Sequence, residues 1–98
     1  MNAKQRIARI MDAGCRVCKK MGHDTPAQEF HHIHGPDKRR IGPDVGIGLC
    51  AAHHTGGQNN AQVVSRHPWK KAWEGRYGSE RAMYDELIRE LGWDGERG

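Results

Sequence analysis

The sequence predicts a small α+β domain stapled by bound metal rather than held by a large apolar core, and three observations predict it. Only 36% of its 98 residues are hydrophobic and the mean hydropathy is −0.90, too little apolar surface for so short a chain to rely on. All three cysteines fall into the spacings Cys15-x-x-Cys18 and Cys50-x-x-His53. Helical periodicity marks both ends of the chain, while the middle, from Gly22 to Gly57, is rich in Gly and Pro and reads as turns and short strands.

Each element follows in order, within a single domain of residues 1–98. Ile7, Ile10 and Met11 form one apolar stripe, which predicts a helix over residues 4 to 13 that Gly14 stops. Two strands are expected next, Gln28 to Ile33 and Val45 to Leu49, the second with Val45, Ile47 and Leu49 at period two. Joined by Gly35 to Pro43 they make a hairpin with a long cationic loop, followed by a turn of helix near Cys50. A further helix starts near Pro68, a favourable first position, and puts Trp69, Trp73 and Tyr77 on one face until Gly78. Ser79 is placed to cap the last helix, about residues 79–91, where Met83, Tyr84, Leu87, Ile88 and Leu91 share a face before Gly92. The aromatic residues are expected in the core.

Net charge is +4, and its distribution is uneven. Residues 79 to 98 carry six acidic against three basic side chains, a balance of −3 that leaves +7 on the rest. Lys38, Arg39 and Arg40 form one basic cluster and Arg66, Lys70, Lys71 and Arg76 another. Clustered cations suit a phosphate backbone, so Lys38, Arg39, Arg40, Lys70 and Lys71 are candidate DNA contacts that position without specifying bases. No apolar run resembles a signal peptide or approaches a membrane span, so a cytoplasmic location and no membrane partner are expected. In a reducing compartment an odd set of spaced thiols reads as metal ligands rather than as a disulfide framework.

Cys15, Cys18, Cys50 and His53 supply four soft or borderline ligands, enough to close a tetrahedral structural zinc site with no open position. That leaves His31, His32, His34 and His54 unspent, with His67 as a fifth candidate. Neighbours at the end of a strand point to opposite sides of the backbone, so of His31 and His32 one can hold a metal while the other stays free as a base. His54 follows the zinc ligand His53 directly and can face a second metal from the other side of the same turn. An open metal site beside an unligated imidazole is what phosphodiester hydrolysis needs. His34 and His23 read as solvent-facing.

At this point the residues carry a resemblance. Glu29-Phe30-His31-His32-Ile33 and Leu49-Cys50-Ala51-Ala52-His53-His54 look like an HNH (ββα-metal, His-Me finger) nuclease motif, and the preceding Cys-x-x-Cys resembles its zinc-knuckle subgroup. His54-Thr55-Gly56-Gly57, then His67 and Trp73-Glu74-Gly75-Arg76-Tyr77-Gly78, resemble more narrowly the phage and prophage recombination enhancement function proteins, RecA-dependent nucleases, over about residues 13–80. The resemblance implies a zinc-stapled ββα-metal core with flanking N- and C-terminal helices, and an endonuclease that hydrolyses DNA. It also implies a RecA–DNA filament as partner and a second divalent metal (Mg2+, Mn2+, Ni2+ or Zn2+) at the active site. His31 and His54 take the roles of catalytic-metal ligands and His32 that of general base. Two positions depart from the wider pattern. The asparagine of many HNH motifs falls at Gly46, which leaves Asp44, Asn59 or a backbone carbonyl to orient His32. The final ligand of many HNH helices falls at Gln58, beyond Gly56-Gly57, and the narrower resemblance favours His67 instead.

The main competing reading is a non-catalytic zinc finger, because Cys15, Cys18, His31 and His34 fit C-x2-C-x12-H-x2-H. Pro26 in the segment that should be helical, and the unexplained Cys50, count against it. A metal-stapled adaptor would keep the zinc but need no free His32.

Overall fold

The first helix, α1 (Ala3–Asp12), is closed at its start by a reciprocal cap, in which Gln5 N donates to Asn2 Oδ1 at 2.9 Å and Asn2 N to Gln5 Oε1 at 3.0 Å. The computed structural model describes residues 2–35, 37 and 39–93. Gly14, with φ +85°, ends α1 as expected and turns the chain so that Cys15 N bonds Thr25 O at 2.9 Å. A second helix, α2 (Arg16–Lys20), follows at once. The sequence shows it only as a knuckle, because five residues hold no apolar period to read.

The strands are β1 (Glu29–His32) and β2 (Gly46–Leu49), each a residue or two shorter than expected at its ends. They pair antiparallel in the register Glu29↔Leu49, Phe30↔Gly48, His31↔Ile47 and His32↔Gly46. Every residue of β2 is buried, although its apolar residues alternate. Glycines make this possible: a Cβ on Gly48 would lie 2.7 Å from Ala27 Cβ, so the face that alternation would assign to solvent is covered by neighbouring chain.

Helix α3 (Ala51–His54) starts directly after Cys50, then a loop leads to α4 (Lys70–Tyr77) and α5 (Glu80–Glu90). Trp69 precedes α4 and is 41% exposed, whereas Trp73 and Tyr77 are buried. The expected aromatic face thus loses its first member, because the helix begins two residues beyond Pro68. Ser79 caps α5 by accepting from Ala82 N, and Met83, Tyr84, Leu87 and Ile88 are buried against Ile10, Val17, Ile47, Leu49 and Trp93. Each such side chain contributes roughly 1.5–3 kcal/mol on burial, so tertiary packing outweighs helix propensity in fixing α5. Arg16, itself buried, ties α2 to the far end of α5 through a bidentate pair with Glu90 at 2.9 and 3.0 Å. Among the described residues no helix is long and apolar enough to cross a membrane.

Candidate metal centres and active site

Two one-turn elements bring the first cluster together. Cys15 and Cys18 lie at and within the first turn of α2, and Cys50 and His53 repeat that arrangement at α3. All four are buried, and one ligand atom from each lies within 4.8 Å of the others. His53 Nδ1 stands 3.1, 3.5 and 3.8 Å from the sulfurs of Cys50, Cys18 and Cys15, and Cys18 and Cys50 Sγ are 3.9 Å apart. An ion about 2.3 Å from each sulfur would space tetrahedral sulfurs roughly 3.8 Å apart. Burial pushes the Cys15 and Cys50 thiols up, so only a cation among them would make thiolates stable there. The set fits a metal such as zinc.

The second cluster shares α3 with the first. His31 from β1, His54 from α3 and His67 from the loop before α4 bring three ring nitrogens within 4.8 Å of one another. The expected trio therefore converges. His31 Nδ1 and His54 Nε2 are 3.1 Å apart and buried, while His67 is exposed and leaves the cluster open on its outer side. His67 reaches the site because a short helix leaves its last carbonyls unpaired: Arg66 N bonds His53 O at 2.9 Å and His67 N bonds His54 O at 2.8 Å.

The far nitrogens of the two buried rings each meet a carboxylate. Glu80 Oε2 lies 2.7 Å from His31 Nε2, and Arg66 Nε donates to the same oxygen at 2.9 Å. Glu29 Oε1 lies 3.0 Å from His54 Nδ1 and accepts from Thr55 Oγ1 at 2.7 Å. Burial works to raise the Glu80 carboxyl, but the bonds from His31 and Arg66 outweigh it and bring its pKa down to about 2. The Thr55 bond, helped by His54, lowers that of Glu29. Burial lowers His54, against the Glu29 bond, and lowers His67 with help from the Arg66 charge. Both are thereby kept in the neutral form that donates a lone pair.

His32 points away from His31 yet lines the same cleft, about 220 Å³, with Phe30, His34, Arg40, His54, Arg66 and His67. Burial and the Arg40 charge lower its pKa, partly offset by a hydrogen bond to the Pro43 carbonyl. Of the side chains expected to orient it, Asp44 is paired with Arg6 at 2.7 Å and Asn59 forms a β-bridge with Val64. Phe30 packs on His32 edge-on, with centroids 4.9 Å apart. A Cβ on Gly46 would meet Phe30 Cζ at 2.6 Å and collide with the His31 carbonyl oxygen. A side chain there is excluded by the packing that holds His32.

The candidate DNA contacts divide. Arg39, Arg40, Lys70 and Lys71 are exposed, and Lys38 lies outside the described residues. From the second basic cluster, Arg66 is buried on Glu80 and Arg76 donates to the carbonyls of Asn60 and Ala61. His34 and His23 are exposed, as expected. The zinc-finger grouping does not form, since Cys15 and Cys18 meet Cys50 and His53 while His31 meets His54 and Glu80.

Glu80, Glu29, Arg66, Phe30 and the Pro43 carbonyl contact the site without having been singled out for it by the sequence. Glu80 stands 49 positions from His31, and no spacing rule links them.

A two-stranded sheet with packed helices, a buried Cys3His cluster and an open histidine cluster define a small α+β protein with candidate metal sites. The family described as "Recombination enhancement, RecA-dependent nuclease" matches residues 1–91, and the chain belongs to that family. No curated protein and no solved structure matches it.

Proposed function

We propose that the chain is a metal-dependent DNA endonuclease of the HNH type, with β1, β2 and α3 as its ββα-metal element. The observation that carries this reading is the convergence of His31, His54 and His67 on a cleft that also holds His32, outside that cluster. The family's description supports a nuclease acting in recombination with RecA.

His31, His54 and His67 would hold the divalent ion, and Cys15, Cys18, Cys50 and His53 a structural zinc. When bound, the ion in the open site supplies charge stabilisation to the scissile phosphate and its leaving oxygen. His32 takes the proton from the attacking water. The Pro43 carbonyl and the Phe30 ring orient it, and burial, helped by the positive charge of Arg40, keeps its imidazole neutral and ready to accept. Arg40 also offers the phosphate a charge-assisted contact at the mouth of the cleft.

Nicking of supercoiled plasmid by the purified full chain, with and without RecA and across Mg2+, Mn2+, Ni2+ and Zn2+, tests this. Metal-dependent nicks that chelator abolishes are expected. No cleavage of any DNA under any of these conditions would overturn the reading.

A further inference from the structure

The contact between His31 Nδ1 and His54 Nε2, 3.1 Å, needs a physical account. A carboxylate only accepts, so the 2.7 Å contact of Glu80 Oε2 with His31 requires a proton on His31 Nε2. The 3.0 Å contact of Glu29 Oε1 with His54 requires one on His54 Nδ1 in the same way. A neutral imidazole carries a single N–H. Two neutral rings so held would turn bare lone pairs toward each other at 3.1 Å, an unfavourable arrangement unless a cation lies between them. Two arrangements avoid this without metal, a doubly protonated His31 that donates to His54 or a doubly protonated His54 that donates to His31.

We infer that Glu80 is the positioning residue of the histidine site, holding His31 as the Nε2–H tautomer so that Nδ1 is presented to the ion, with Arg66 fixing the carboxylate. The inference rests on the metal-site reading above and deepens it. Glu80 is suited to the role by its place: it sits in the first turn of α5, is buried, and receives bonds from His31 and Arg66 on one oxygen. Arg66 immediately precedes His67, so the Arg66–Glu80 pair also links the loop that delivers the third imidazole to the strand that delivers the first. A carboxylate behind a ligating imidazole fixes ring and tautomer and raises ligand basicity. Glu29 stands behind His54 in the same relation but is partly exposed, so the buried Glu80 carries the larger share.

The test uses the full chain with zinc in the cysteine cluster, titrated with Co2+ against a competing chelator. In the parent a second ion is expected at the histidine site. Glu80→Gln keeps the shape but removes the charge, and a roughly 10- to 100-fold weaker second site is expected with the zinc content unchanged. Equal Co2+ affinity in parent and variant would overturn the inference and leave the metal-site reading intact, whereas a parent that takes up no second ion would overturn both. If Glu80→Gln does not fold, ¹⁵N imidazole spectra of the parent with its histidine site empty decide instead. His31 protonated at Nε2, whether or not Nδ1 also carries a proton, supports the inference; a ring protonated at Nδ1 alone overturns it.

Discussion

Gly46 stands directly opposite His32 in the β1–β2 ladder, and the space a side chain would take there holds the ring of Phe30, which in turn meets His32 edge-on. Gly46→Ala should therefore cost roughly 1–3 kcal/mol, the usual range for overpacking a filled site. Gly46→Asn, which installs the residue of many HNH motifs, should cost at least as much and should not improve cleavage. Denaturant midpoints measure the first effect and plasmid nicking the second. An alanine variant as stable as the parent would show that the packing around His32 yields more easily than its close neighbours suggest.

Cys50→Ser should lose zinc and unfold. Zinc-binding energies of roughly 10–16 kcal/mol in small Cys/His sites match or exceed the whole stability of a domain this size, about 5–15 kcal/mol. Circular dichroism with metal analysis checks it, and a Cys50→Ser protein with native melting and full zinc would remove the structural role.

His32→Ala should leave both metals and the melting temperature in place while cutting the cleavage rate roughly 10²- to 10⁴-fold. His31→Ala and His54→Ala should instead weaken the second metal, with activity partly restored by excess ion. Metal stoichiometry and nicking rate on the three variants separate the roles. Cleavage by His32→Ala at the parental rate would end its assignment as base.

Glu90→Gln should destabilise the protein at neutral pH, because Arg16 stays buried without its partner. Solvent screening at the partly exposed carboxylate keeps the cost near the lower end of roughly 1–3 kcal/mol. The hydrogen bond from Arg16, outweighing desolvation and helped by Lys19, lowers the Glu90 pKa from its ordinary value. Its contribution is therefore complete above the unfolded carboxyl range and disappears as pH falls through the lower folded value. The stability gap between parent and variant should be flat from about pH 7 to 5 and close below that. A gap that persists unchanged at about pH 2 would mean that the pair's charge is not its source.

Replacing Arg39, Arg40, Lys70 and Lys71 together should weaken DNA binding and flatten its dependence on salt, by about 0.9 in the log–log slope for each phosphate that is no longer neutralised. Fluorescence anisotropy across a salt series reads this directly. An unaltered slope would move the DNA surface away from these side chains.

Most members of the two side-chain clusters could be picked out in advance because they rest on local spacing, Cys-x-x-Cys, Cys-x-x-His and adjacent histidines, whereas His67 came only from the family resemblance. The fold class was legible for a related reason, since the apolar stripes of α1 and α5 and the period of β2 are properties of contiguous residues. What escaped is what tertiary packing decides. Glu80 looks like an ordinary first-turn acid of a helix, and nothing near it in sequence names His31 as its partner. Arg66 looks like one more surface cation, yet it is buried. One group that acts on His32 is a main-chain carbonyl, at Pro43, which any residue could have supplied.

Because Glu80 lies 49 positions after His31, the two are not synthesised together. At roughly 5 to 20 residues per second, the acid leaves the ribosome about 2 to 10 seconds behind the imidazole it contacts. Before that interval ends the nascent chain already carries both halves of the cysteine cluster, yet His31 still has no carboxylate to hold its ring. Its orientation is settled only once the first turn of α5 has been made.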